Sequence, residues 1–179
     1  MVFNRRRKGQ AAIEFLMTYG WMLLVVLIVG ALIFSFVDFG TLLPNQVELS
    51  NNLRGDATGS VAYSSNNANA SLQDRVKMVF RYNGANRVTI DAASAGITTD
   101  LGGTCVGEEV QNIDTNEVQV AGSPVSFLNG HEGILTFDCS SEGLISGDNL
   151  QGDLRVDVLN PRTDLAVPST GSMRLRIVE

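Results

Sequence analysis

The stretch "DRVKMVFRYNGANRVTI", residues 74 to 90, sets the period of most of this chain. Val76, Met78, Phe80 and Tyr82 recur at every second position, with Arg75, Lys77 and Arg81 between them. Successive side chains of a strand point to opposite faces, so this spacing predicts a strand with one buried face. Asn83-Gly84 lies where a turn is needed, and Val88 and Ile90 resume the alternation. Further strands are expected at 117–120, 125–128, 133–139, 153–159 and 172–178. The last two are the clearest. Leu154, Val156 and Val158 alternate with Arg155 and Asp157, and Met173, Leu175 and Ile177 alternate with Arg174 and Arg176. Asn160-Pro161, Pro168 and Gly171 punctuate the long hairpin between them. Seven or more short strands with turn signals predict an antiparallel sandwich.

Upstream of that stretch, residues 45–73 are polar and rich in Asn, Ser and Ala. They read as connection, with "SSNNANAS" (64–71) as an exposed loop. Asp38, Gly40 and Pro44 mark the end of a different pattern. From Phe15 to Val37 the chain carries 23 residues without a charge. As a helix that run is about 34 Å long at ~1.5 Å per residue, enough for a hydrocarbon core of ~30 Å. It is apolar on every side, as a helix buried in lipid or protein is. Arg5, Arg6, Arg7 and Lys8 precede it, placing its start on the cytoplasmic side and the remainder outside the cell. The run is too long for an ordinary cleaved secretory peptide, and apolar residues continue past Val29-Gly30-Ala31. A plain signal anchor accounts for the charges and the run, but not for Glu14 at the mouth of the apolar segment. Carboxylates near membranes are costly and invite a functional reading.

The residues Lys8-Gly9-Gln10-Ala11-Ala12-Ile13-Glu14-Phe15-Leu16-Met17-Thr18-Tyr19-Gly20-Trp21 resemble the class III signal peptide of archaeal type IV pilin-like proteins. The resemblance covers about 30 residues. It departs from many members at Ala12, where serine is common, and at Thr18, where leucine is common. It implies that a prepilin peptidase cuts between Gly9 and Gln10, and that Glu14 becomes the fifth mature residue, with a role in assembly. The implied organisation is a leader over 1–9, an apolar transmembrane and filament-core helix over 10–43, and an extracellular domain over 44–179. The implied fold is α+β, a long apolar helix followed by an immunoglobulin-like sandwich. The implied function is a structural subunit of a surface filament concerned with adhesion. Its partners would be further copies of itself, the peptidase, a secretion ATPase and its membrane platform protein, with the membrane before assembly. A membrane-tethered binding protein, or a minor pilin outside bulk filaments, is the competing function.

Charge agrees with export and argues against nucleic acid. The chain has 13 basic and 19 acidic residues, net −6; without the four leader charges it is left with 9 and 19, net −10. Such a chain has no basic footprint for a phosphate backbone. Cys105 and Cys139 both fall in the exported part, where disulfides persist; the alternatives are a bridge closing a loop of about 35 residues or two buried thiols. Two cysteines without nearby histidine lack zinc-ligand spacing, and no cofactor is expected. His131, the single histidine, sits in "LNGHEG", a turn. Ala92-Ala93-Ser94-Ala95-Gly96 misses the first glycine of the hydrolase elbow and has no helix after it, so no enzyme is expected. Asp148, Asn149 and Asp153 do not match calcium-loop spacing. Arg54-Gly55-Asp56 spells an adhesion tripeptide that three residues often spell by chance. Asn69-Ala70-Ser71 is the one N-glycosylation sequon, in the most polar loop.

Overall fold

A computed structural model describes residues 6–36 and 44–179. The chain forms two compact units, one helical and one built from strands. The first is α1, Arg6–Phe36, 31 residues long. The helix end expected at Asp38 and Gly40 lies outside the described residues.

The second unit contains ten strands: β1 Gln46–Val47, β2 Leu53–Tyr63, β3 Arg75–Tyr82, β4 Val88–Thr99, β5 Thr104–Asn112, β6 Glu117–Val120, β7 Val125–Phe127, β8 Glu132–Asp138, β9 Asn149–Asn160 and β10 Leu165–Val178. Neighbours run β5-β8-β3-β2-β10-β9-β4, and β4 returns to pair with β5, so seven strands close a ring. A ring with an odd number of strands cannot be antiparallel throughout. The one parallel seam lies between β10 and β2, at Ile177↔Ala62 and Val178↔Tyr63. β6 extends β5, β7 extends β4, and β1 lies along β10.

These observations overturn the expected fold class. The chain is mostly strand, not α+β, and its sheet closes into a barrel instead of forming an immunoglobulin-like sandwich. Among the described residues no helix is long and apolar enough to cross a membrane.

The sandwich expectation failed at two strands read as connection. β2 lies inside 45–73, and β5 was not anticipated at all. Both contain bulges: β2 shifts register between Asp56 and Val61 against β3, and β5 between Gly107 and Glu109 against β8. A bulge moves the buried face by one residue, which erases the period-two signal. A third shift, between Ile90 and Ala95 in β4, lets that strand serve β7 at one end and β5 at the other. Closure therefore comes from bends that alternation cannot report.

The core fills the barrel. Phe80, Phe127, Phe137, Met78, Leu135 and Leu154 are fully buried, and the Phe80 and Phe127 rings lie 5.2 Å apart. Gly133 is required beside them, because a Cβ there would overlap both rings. Pro168 and Gly171, expected between the last two strands, lie within β10. Pro168 is tolerated because β10 pairs there with β9 only, a position where no ladder amide is lost. The turn itself is 161–164.

The registers also sort the loops. Turns 51–52, 83–87, 113–116, 128–131 and 161–164 gather at one end, here the upper; 64–74, 100–103 and 139–148 gather with the carboxy terminus at the lower. The 64–71 segment is only partly the exposed loop expected: Ser64 and Asn67 are buried. The Ser64 hydroxyl has no hydrogen-bond partner among the described residues. A buried unsatisfied polar group costs about 1–3 kcal/mol, partly offset here by the packing its oxygen provides. Ser64→Ala should therefore raise stability by up to ~1 kcal/mol in denaturant titration; a loss of about that size would show that the hydroxyl is satisfied.

Candidate assembly site

The sequence of α1 is rich in Leu, Met and Ala, good helix formers, and a Cβ at Gly20 or Gly30 would meet nothing within 4 Å. Large apolar side chains are exposed all round it, from 44% at Val25 to 79% at Met17. Phe15 and Tyr19, one turn apart, stack at 4.7 Å. Apolar exposure on this scale marks a surface that seeks a partner or lipid.

Glu14 lies in α1 with its side chain exposed. Its carboxylate has no partner among the described residues, while the Thr18 hydroxyl donates to the backbone carbonyl of Glu14. That bond occupies Thr18 and leaves the carboxylate free. Gly9 and Gln10 lie on the helical backbone near its start, with Arg6, Arg7 and Lys8; Arg5 lies outside the described residues. The structure thus places Gly9, Gln10 and Glu14 on one helix, with Gly9 and Glu14 five residues apart.

In the strand unit, Cys105 and Cys139 form a disulfide with Cα atoms 4.4 Å apart, and both are buried. The bridge ties β5 to the end of β8 at the lower end. Glu142 reinforces it: its carboxylate accepts from the Thr99 hydroxyl at 3.1 Å, and the Gly103 amide donates to the same hydroxyl at 3.0 Å. Asn69 is exposed, and its side-chain oxygen accepts from the Ser71 amide at 3.1 Å and the Ser71 hydroxyl at 2.7 Å.

The other sequence candidates have structural roles. His131 lies in the expected turn but is half-buried, with Nδ1 3.0 Å from the side-chain amide of buried Asn112. Asn112 also donates to the Ser126 carbonyl at 2.7 Å and accepts from Asp114 and Thr115 amides, knitting β5, β7 and the 113–116 turn together. Nothing in its local sequence signals that role. Arg54, Gly55 and Asp56 lie in β2, not at a loop tip. The Asp56 carboxylate accepts from the Thr58 hydroxyl and amide at 2.6 and 2.9 Å, and these bonds hold it below the usual carboxylate range. Ser94 lies in β4 and donates to the Asp91 carbonyl at 2.8 Å. Among the described residues no group of His, Cys, Asp and Glu is placed to hold a metal ion.

No family model matches this chain, and no curated protein matches it. Among solved structures it is similar to the CooA pilin subunit from enterotoxigenic Escherichia coli, at 10% identity and a TM-score of 0.33, over 59% of this chain and 80% of that one.

Proposed function

We propose that the chain is a structural subunit of an archaeal type IV pilus, not an enzyme. The observation that carries this reading is the succession Lys8-Gly9-Gln10, Glu14 and then a helix whose apolar side chains are exposed on every side. The precursor is held in the cell membrane with its N-terminus cytoplasmic and the strand unit outside. A prepilin peptidase removes residues 1–9. A secretion ATPase and its platform protein then move the subunit into a helical filament, where α1 of each copy is covered by other copies. Burying such a helix against others removes its apolar surface from water at about 25 cal/mol per Å². The strand unit faces outward as the surface available for adhesion.

Electron microscopy of filaments sheared from the source cells, labelled with antibody to residues 44–179, tests this. Labelling along the whole filament is expected. Filaments that never label, with the protein present only in the cell envelope, would contradict the reading.

A further inference from the structure

The loop from 64 to 74 is pinned at both ends and bare in the middle. The Ser65 amide and hydroxyl donate to the Leu144 carbonyl at 2.8 and 3.1 Å, and the Leu144 amide donates to the Asp74 carboxylate at 2.8 Å. Both feet of the loop therefore stand on one residue of the 139–148 segment. Within the loop, the Asn67 amide donates to the Ser64 carbonyl at 3.1 Å, and the Gln73 side chain donates to the Asn67 carbonyl at 3.0 Å. Between these fixed points Asn69, Ala70 and Ser71 are all exposed. No other asparagine of the chain begins an Asn-X-Ser or Asn-X-Thr sequence.

The Asn69 carboxamide is held by its oxygen alone. Oδ1 accepts from the Ser71 hydroxyl at 2.7 Å and from the Ser71 amide at 3.1 Å. A carboxamide is planar, with oxygen and nitrogen on different arms, so these two bonds fix the plane and turn Nδ2 away from Ser71. Nδ2 makes no hydrogen bond among the described residues. A substituent on Nδ2 replaces one N–H and leaves Oδ1 an amide oxygen. Both Ser71 bonds therefore survive modification, and with them the short turn over 70–72. Asn112 is the contrast: it is buried, and its Nδ2 is engaged by Ser126 and His131, so a substituent there would break the fold.

We propose that Asn69 is an N-glycosylation site, its Nδ2 taking an oligosaccharide from a lipid-phosphate carrier outside the cell. A bond forms between Nδ2 and the anomeric carbon of the first sugar. The bond from that carbon to the carrier phosphate breaks, and the lipid phosphate leaves with the electron pair. Nδ2 gives one of its two protons to a base of the transferase, and nothing is oxidised or reduced. The glycan then stands at the lower end of the barrel, on a loop that needs no rearrangement to carry it. The site requires the strand unit to lie outside the cell, as in the reading above, and does not require a filament.

The test is peptide mass spectrometry on the full chain recovered from membranes and sheared filaments of source cells. Trypsin releases residues 55–75, which contain the whole sequence Asn69-Ala70-Ser71. Added carbohydrate mass on this peptide is expected, with sugar fragment ions in its spectrum. Asn69→Asp keeps the acceptor oxygen for Ser71 and removes the nitrogen, so the subunit should accumulate as wild type and lose the added mass. Ser71→Ala should also lose it, and Ser71→Thr should keep it. An unmodified 55–75 peptide from wild-type cells would overturn the site. Carbohydrate that persists in Asn69→Asp would also overturn it, since the sugar would then be on a hydroxyl. An unmodified peptide from filaments that label along their length with antibody to residues 44–179 would overturn the site alone and leave the filament reading intact. A modified peptide from cells whose filaments never label would support the site and contradict the filament.

Discussion

Glu14→Ala subunits should reach the membrane and be cut after Gly9, yet form few or no filaments. The carboxylate has no partner among the described residues, and Thr18, the nearest hydroxyl along the helix, is spent on a backbone carbonyl. A free carboxylate is tolerable in water but not within a bundle of apolar helices, where an unpaired polar group is costly. On the proposed reading its partner comes from another copy. The new terminal amine of Gln10 serves if it stays free. If Gln10 cyclises the amine is lost, and the partner is then an amide N–H, a neighbour's hydroxyl such as that of Thr18 or of half-exposed Tyr19, or a proton on Glu14 itself. Breaking a buried charged pair costs about 3–5 kcal/mol. Since ~1.4 kcal/mol is a factor of ten, the assembly constant per subunit falls by about a hundredfold or more. A carboxylate near a helix start also gains ~0.3–1 kcal/mol from unpaired amides, an effect too small to abolish assembly. The variant Glu14→Gln keeps a hydrogen-bonding group and should be milder if the terminus is cyclised. Filament yield by microscopy, beside immunoblots of processed subunit in membranes, gives the answer; normal yield from Glu14→Ala would leave only the helix-start role.

Loss of the disulfide should produce the largest change in stability. The Cys105–Cys139 bridge closes a loop with a sequence separation of 34. By the chain-entropy estimate this contributes up to ~4 kcal/mol. Its place in the barrel adds a reason for sensitivity: β4 and β5 meet over three rungs only, Gly96↔Val106, Ile97↔Cys105 and Thr98↔Thr104, so the cysteine lies in the seam that closes the ring. Cys139→Ser should lower the melting temperature by roughly 10–20 °C. The paired Cys105→Ala, Cys139→Ala variant separates the covalent link from the burial of a lone polar hydroxyl and should melt slightly above the single variant. Non-reducing peptide mapping of secreted protein should give one cross-linked pair. Free thiols there, or an unchanged melt, would remove the bridge from the account.

The sequence reported strands wherever side chains alternated without interruption. β3 and the start of β4 follow from Val76 to Tyr82, Val88 and Ile90, the later parts of β9 and β10 from the two runs near the carboxy terminus, and β6, β7 and β8 lie where strands were expected at 117–120, 125–128 and 133–139. It was silent where a bulge shifted the face. β2, with Gly55, Asp56, Thr58 and Gly59, has the composition of a loop, and β5 changes face at Gly107. Those two strands are staves of the barrel, so missing them turned a closed sheet into a sandwich. The two cysteines allow a single pairing, so sequence left open only whether Cys105 and Cys139 bridge or stay as buried thiols, and the structure forms the bridge. Asn112 gave no signal because its function is to satisfy backbone groups of three separate segments, which only folding brings near.

The intact mass of the subunit taken from filaments on the source cells tests the central claim most directly. The account predicts a chain that begins at Gln10, with or without the loss of ammonia that cyclisation brings, and with any added mass at Asn69 removable by deglycosylation. A subunit that keeps residues 1–9, or one that begins beyond Ala31, would contradict it.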